Sequence, residues 1–583
     1  MQAIRDLVDK ALVELKLEIV EFSVTHPKEE SHGDYSANVA MILWNKFSNQ
    51  KFSNSQIKSP RELAEKIVEQ LYKVPNLVNI VDKIEVAGPG FINFYLKPQF
   101  FLEQAQKATD LGYGKNDVLH GQKTMVEFTD PNPFKEFHIG HLMSNTIGES
   151  LTRLFEANGA VVKRVNYQGD IGLHVAKSVW GMQQLMTQQK KSLSDLQGQA
   201  LQVRQQFMGQ AYAYGATKYE EDEQAKSAMN ALNKVIYDAS DKTVDELYQT
   251  GRMWSLEYFE TIYQRLGTKF DEYFFESEAG TVGLTVVEEG LQKGVLEIGE
   301  EGAVVFRGEK YGLHTRVFRN KLGLPTYEGK ELGLAKTKYG RWQYDKAYII
   351  TANEIDEYFK VLIKVLTLLY PDLGSKTTHL SHGVMKLTTG KMSSRSGVVV
   401  TGEGLLNDLK AVVLTKIGDR EIKNKEVVAD SIAVGALKYT VLRQAVGGDI
   451  VYEPEKMTNL EGNTGPFVQY TFARCSSILR KFQITNSPIL KLKAEGLVEQ
   501  EKSILRWIYR YPDVVAEAGS HFAPHLVATY IYELSQRFNS FYQACRVEEK
   551  GEVNELRYLL TQATSNVLKS GLGLLGIAAP EEM

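Results

Sequence analysis

The sequence predicts an α/β protein: a doubly wound, Rossmann-like parallel sheet in the middle of the chain, a small α+β domain before it and an all-α bundle after it. Three observations carry that expectation. Between about residues 123 and 400, short β-rich runs (124–128, 160–167, 346–351 and 377–387) alternate with helical periodicity, as strands joined by helical crossovers do. The first run leads into a turn bearing glycine and histidine that opens a helix, and parallel sheets bind ligands at the carboxyl ends of their strands. From about residue 405 helical spacing dominates, in 432–441, 466–482, 523–541 and 556–575.

Taken in order, residues 1–105 open with apolar side chains at helical spacing: Ile4, Leu7, Val8, Ala11 and Leu12. The polar face mixes both charge signs, so the helix reads as core packing and not as a membrane anchor. Short strands follow around 84–86 and 91–96, and the turn-rich stretch 110–122 reads as a linker. The central domain is expected over 120–404. Within it, residues 175–275, rich in Gln, Lys, Glu and Tyr, read as a solvated helical insertion. Residues 405–583 form the helical C-terminal domain.

Composition sets limits. A chain of 583 residues should hold about three to five domains, and 43% hydrophobic with 24% charged residues is ordinary for a globular protein. No apolar run reaches membrane-spanning length; residues 361–370 are short and carry Lys364. Asp6 and Asp9 stand where a signal peptide would be basic and then apolar, and the only cysteines are Cys475 and Cys545. A cytoplasmic protein without a disulfide framework is expected. The net charge of −4 does not announce a nucleic-acid binder, so any RNA contact must use local basic patches.

The most informative segment is Pro131-Asn132-Pro133-Phe134-Lys135-Glu136-Phe137-His138-Ile139-Gly140-His141. At i and i+3 of a first helical turn, His138 and His141 point the same way. Gly140 allows a ligand close to the backbone, and the helix start offers free N–H groups and a positive dipole end, which suits phosphate. Surface histidines or a zinc-binding pair are the blander readings. Zinc lacks further ligands at matched spacing, since both cysteines are remote in sequence. A second segment, Gly390-Lys391-Met392-Ser393-Ser394-Arg395-Ser396-Gly397, combines glycine, serine and cations as a loop over a polyphosphate would. Alone it reads more readily as a solvated turn; after His-x-Gly-His in chain order, the phosphate reading prevails.

Together the two segments resemble the signatures of class I aminoacyl-tRNA synthetases, and the chain more closely resembles the arginyl-tRNA synthetase family over nearly its whole length. Ser31-His32-Gly33-Asp34-Tyr35-Ser36-Ala37-Asn38 and Gly88-Pro89-Gly90-Phe91-Ile92-Asn93-Phe94 look like that family's added N-terminal domain. Asn166-Tyr167-Gln168-Gly169-Asp170 looks like its asparagine–glycine–aspartate segment. Glu461-Gly462-Asn463-Thr464-Gly465-Pro466-Phe467-Val468-Gln469-Tyr470 looks like the start of its anticodon-binding helices, and residues 574–583 look like its usual ending.

The resemblance implies a two-step reaction, activation of L-arginine by ATP and transfer to tRNA(Arg), with ATP as its Mg2+ complex, no protein-bound metal, no membrane and a monomer. It implies His138, Gly140, His141, Lys391, Met392, Ser393 and Ser394 as ATP-binding residues. His138, His141, Lys391, Ser393 and Lys135 are the expected catalytic residues. Glu127, Asn132, His138, Tyr327 and Glu331 are expected at arginine, and Asn93, Gln469, Tyr470 and Arg474 at transfer RNA. Asn93 would meet the D-loop, or else be a polar residue on an edge strand.

Some positions depart from the family. Ser394 stands where the common loop has a second lysine, and Lys135 or Arg395 is expected to compensate. Glu331 replaces an aspartate four residues after Tyr327, which keeps the charge and lengthens the reach. No glutamine occurs near residues 353–356, and the stretch 321–335 is unusual for the family. Competing readings are a cysteinyl-type enzyme, which would need a cysteine zinc set, a small nucleotidyltransferase, which would lack the C-terminal helices, and a non-catalytic RNA-binding paralogue, which would not need both signatures intact.

Overall fold

The computed structural model describes residues 1–47, 57–75, 77–387, 401–482, 492, 494–549 and 551–583. They resolve into two compact units. One comprises residues 1–114, 474–514 and 533–568; the other comprises 115–473, 515–532 and 569–583.

The second unit is built on a five-stranded sheet. Strands β1 (Lys123–Glu127), β2 (Val161–Gln168), β3 (Glu272–Phe275), β4 (Lys346–Ala352) and β5 (Thr377–His382) lie in the order β5–β4–β1–β2–β3. All four pairings are parallel. The sequence direction therefore reverses between β1 and β4, which places a ligand crevice beyond their carboxyl ends. Four of the five residues of β1 are buried, as befits a strand covered on both faces. Three helices shape the crevice: α1 (Ile139–Ala157), α2 (Glu276–Gln292) and α3 (Tyr327–Arg341). Helices α2 and α3 cross at glycines: a Cβ on Gly283 would stand 2.3 Å from the Gly329 carbonyl, and one on Gly333 would stand 2.2 Å from that of Ala279.

The expected helical insertion lies between β2 and β3 as five helices, from Leu173–Gln189 to Lys242–Leu266. β3 itself, at the end of that insertion, was not anticipated. Nor was a small antiparallel sheet of Glu297–Ile298, Val304–Phe306 and Arg316–Arg319 between α2 and α3. The single strand expected over 377–387 is two. β5 ends at His382, and Met385–Leu387 pairs instead with Ile450–Tyr452. The cause is local: a Cβ on Gly383 would stand 2.4 Å from the Gly448 carbonyl, and Asp449 accepts the Val384 N–H at 2.9 Å.

In the first unit, the opening helix Gln2–Glu14 buries Ile4, Leu7, Val8, Ala11 and Leu12, the face its spacing predicts. It accompanies an antiparallel sheet of Val24–Thr25, Tyr35–Ala37, Phe91–Leu96 and Val81–Ala87, in that spatial order. Asp34 is 1% exposed and holds both the Leu96 N–H (2.8 Å) and the Arg506 guanidinium (3.2 Å). No helix among the described residues is long and apolar enough to cross a membrane.

Candidate functional site

β1 leaves the sheet through a strained turn. Thr129 and Asp130 have φ of +80° and +46°, values that non-glycine residues seldom adopt, least of all a β-branched one. Buried hydrogen bonds hold them there. Ser144 Oγ of α1 accepts the Thr129 N–H at 2.9 Å and donates to the Ile350 carbonyl at 2.8 Å, and the Asn145 amide donates to Thr129 Oγ1 at 3.0 Å. Asp130 accepts the Tyr167 N–H at 2.8 Å. Strand end, turn and α1 thus form one rigid piece.

His138 caps α1. Its Nδ1 accepts the Gly140 N–H at 3.1 Å, and its own N–H donates to His141 Nδ1 at 3.1 Å. The rings stack with centroids 3.6 Å apart. Because a backbone N–H occupies each Nδ1, each neutral ring carries its proton on Nε2. Desolvation in the crevice and the Lys135 ammonium push His138 down to about 4. Burial, then His138 and Lys135, push His141 well below its ordinary range. The pair is therefore a set of neutral donors at a helix N-terminus. Gly140 serves the histidine itself, since a Cβ there would stand 3.0 Å from the His138 ring. Thr401 makes an antiparallel bridge with His138, and the Gly402 N–H donates to the Phe137 carbonyl at 2.7 Å. Lys391, Met392, Ser393, Ser394 and Arg395 lie outside the described residues.

Beside the histidines lies a cluster of carboxylates. Glu127 is 2% exposed and pairs with Lys338, itself 2% exposed, at 2.7 Å. Glu276 pairs with Lys330 at 2.8 Å, and Glu328 meets Arg316 at 3.5 Å. Among the described residues, Asp130 and Glu331 have no such cation within ion-pair distance. Burial and the neighbouring Glu127 push Glu331 up to about 8 and Asp130 well above its ordinary range. The Tyr358 phenol, raised by burial and then by Glu331, and Tyr167 face the same group. Asn132 and Glu276 both lie against Gly169. Tyr327, the first residue of α3, is 64% exposed and has Lys330 over its ring.

Two expectations about RNA contacts are corrected. Asn93 sits on an inner strand, not an edge; it is 4% exposed and accepts the Ser36 hydroxyl at 2.7 Å, so RNA has no ready access to it. Gln469 is fully buried and donates to the Ala578 carbonyl at 2.9 Å and to that of Ser431 at 3.3 Å, which makes it a packing residue. Tyr470 is half-buried in a small cavity with Lys416 and Arg420. Arg474 hydrogen-bonds Asn539 and lies over the Tyr542 ring. Asp130 and Lys338 are site residues that motif reading missed. Lys338 had a signal: with Leu334 and Ala335 it repeats at helical spacing on the buried face of α3, a place where a lysine needs a partner.

A parallel sheet with a histidine pair at the first helix start, at the reversal of strand order, defines the catalytic domain of a class I aminoacyl-tRNA synthetase. Residues 106–453 match the family model for the class I (R) tRNA synthetase catalytic domain, residues 2–96 the arginyl tRNA synthetase N-terminal domain, and residues 468–583 the DALR anticodon binding domain. The arginine–tRNA ligase of Flavobacterium psychrophilum is 31% identical, over 98% of this chain and 97% of its own; that of Fusobacterium nucleatum is 29% identical, over 97% and 96%. The solved arginyl-tRNA synthetase of Thermus thermophilus shares the fold at a TM-score of 0.80 and 21% identity, with both chains fully covered. That of Plasmodium falciparum does so at 0.78 and 21%, covering 100% of this chain and 99% of its own. The chain belongs to the arginyl-tRNA synthetase family. Its reaction is the attachment of arginine to transfer RNA.

Proposed function

We propose that arginine is activated in the crevice between β1 and β4, its side chain in the carboxylate pocket and ATP along the start of α1. The observation that supports this reading is the pattern of charge. Among the described residues, Glu127, Glu276 and Glu328 each have a cation within ion-pair distance, whereas Asp130 and Glu331 have none. A guanidinium and an ammonium satisfy two such carboxylates, and a planar guanidinium pairs well with a carboxylate's two oxygens. Glu127, Tyr327 and Asn132 border the pocket, and His138 joins it to the phosphates.

In the first step a carboxylate oxygen of arginine attacks the α-phosphorus. The bond to the bridging oxygen breaks, and pyrophosphate leaves with the electron pair. The 3′-terminal adenosine of tRNA(Arg) then attacks the adenylate carbonyl and releases AMP. Such transfers need positioning and charge neutralisation more than covalent help. The Nε2–H groups of His138 and His141 donate to ATP, and Lys135 adds a cation whose charge both imidazoles feel. Lys391, Met392, Ser393 and Ser394 meet the pyrophosphate, with Mg2+ bound to ATP. Residues 1–105 would serve the transfer RNA's D-loop side, residues 120–404 activation, and residues 405–583 the anticodon, with Tyr470 and Arg474 as contacts. A monomer in the cytoplasm completes the reading.

The test is arginine-dependent ATP–pyrophosphate exchange in the presence of tRNA(Arg). Glu331→Gln should raise the KM for arginine at least about tenfold, the scale of one lost charged hydrogen bond, and leave the KM for ATP nearly unchanged. An unaltered arginine KM overturns the pocket assignment.

A further inference from the structure

One hydroxyl of the crevice has three carboxylates around it and bonds none of them. Tyr167 is the next-to-last residue of β2, and its N–H is tied to Asp130 at 2.8 Å. Side chains alternate across a strand, so Tyr167 projects from the same face as Val165, and Val165 stands beside Glu127 in the parallel register. That face is covered by α2 and α3, for the ring packs in one apolar cluster with Ala279 and Leu332. The residue is 9% exposed, and among the described residues its hydroxyl has no hydrogen-bond partner. Burial, then Glu276, Glu331, the Tyr358 phenol and Glu127, hold it well above the ordinary phenol range, so it keeps its proton. Lys330 answers Glu276, and Arg316 faces Tyr358, so both charge signs surround the hydroxyl. Other phenols of the chain that face carboxylates do bond them: Tyr95 donates to Glu85 at 2.7 Å and Tyr258 to Glu403 at 2.9 Å. A buried hydroxyl without a partner costs free energy, and a ligand can supply the partner that the protein does not.

We propose that Tyr167 is a specificity-determining residue for arginine: its hydroxyl accepts a guanidinium N–H that the carboxylates leave over. This rests on the arginine pocket proposed above and adds a neutral acceptor to it. A guanidinium carries five N–H groups in one plane, and a bidentate carboxylate takes two of them. The others need acceptors in other directions. The Tyr167 oxygen comes from β2, a different wall from the α3 helix that carries Glu331. Lysine gathers its three N–H groups at one point, and an ammonium seated on a carboxylate does not span to a second wall. The hydroxyl thereby helps arginine and leaves lysine unaided.

The test is Tyr167→Phe in the full chain with tRNA(Arg), a change that removes the oxygen and keeps the ring. In arginine-dependent ATP–pyrophosphate exchange the KM for arginine should rise about tenfold, the scale of one hydrogen bond to a charged group. The KM for ATP should stay and kcat should change little, as for an interaction made equally in the ground and transition states. Lysine, measured as a competitive inhibitor of the same reaction, should bind variant and wild type alike, so that selectivity for arginine falls by the same factor. Without arginine the variant should melt at or above the wild-type temperature, because an unpaired buried hydroxyl has been removed. An unaltered arginine KM overturns the proposal, and a lower Tm beside it would mark the hydroxyl as structural. An equal weakening of arginine and lysine overturns it too, since the hydroxyl would then order the walls without reading the guanidinium. If Glu331→Gln raises the arginine KM while Tyr167→Phe does not, the pocket stands and only the role of Tyr167 falls. If neither raises it, the pocket itself is misplaced.

Discussion

At the scale of single residues, protonation decides what each group can do. The histidine pair is neutral near pH 7, because burial and the Lys135 ammonium push His138 down to about 4 and hold His141 well below its ordinary range. Activation should therefore show no acid limb near 6.5, which a pH series of kcat/KM for ATP would reveal; a clear inflection there would mean a charged imidazole acts. His138→Ala, which removes one aimed donor, should cost about a hundredfold or more in kcat. Glu331 works in the opposite sense. Its folded value of about 8 lies above the ordinary carboxyl value of 4.5, so the folded state favours the proton. Its contribution to stability is present below about 4.5 and is lost as pH rises through about 8. Glu331→Gln should therefore melt higher than wild type at pH 8 to 9 while losing arginine, a stability–activity trade-off. Equal melting temperatures would show that Glu331 is not strained by its neighbours. His138, His141, Glu127 and Glu331 were candidates in the sequence because a motif or matched position announces them. Asp130 was not, because its role depends on a left-handed turn, and Glu127's partner was not, because a pair 211 residues apart is a tertiary fact.

At the scale of elements, the pocket exists because α2 and α3 approach backbone to backbone. Gly283 and Gly333 make that crossing possible, and it brings Glu276 of α2 within 2.8 Å of Lys330 of α3. Gly283→Ala sets a methyl carbon 2.3 Å from a carbonyl oxygen that cannot yield without moving a helix. The helices should splay and the Glu276–Lys330 pair should lengthen. Overpacking of this kind typically costs about 1–3 kcal/mol. The expected outcome is a lower Tm together with a higher arginine KM; a lower Tm with unchanged KM would mean that the crossing does not shape the pocket. The alternation of strands and helices was readable from periodicity, and so were the glycines in both helices. Which two helices those glycines join was not readable. The same limit hid β3, four residues long at the end of a helical insertion, and merged two strands into one at Gly383.

At the scale of the molecule, the order of domains was legible, but the destination of the last residues was not, because docking leaves no periodic signal. Residues 569–583 fold onto the catalytic unit and not the unit that holds residues 533–568. They run along α1, well down the helix from the histidines: Ser150 donates to the Leu574 carbonyl at 2.9 Å and Arg153 to that of Gly573 at 2.9 Å. The fixing point is Lys438, fully buried on helix Lys425–Leu442, which donates to the carbonyls of Leu266 (2.6 Å) and Gly576 (2.8 Å). Two carbonyls are the complement of the two N–H donors of a neutral amine. Burial pushes Lys438 down to about 7, with Glu149 opposing and Arg153 assisting. The sign of the pH dependence follows. Between about 7 and the unfolded value near 10.5, the unfolded chain binds a proton that the folded one does not, so stability rises with pH across that window. Lys438→Met removes both hydrogen bonds and the titration together. The gap in melting temperature between wild type and this variant should therefore widen from pH 7 to pH 9. A gap that stays constant over the same range would mean that Lys438 remains an ammonium in the folded protein and that its grip on the last turn does not depend on losing the proton.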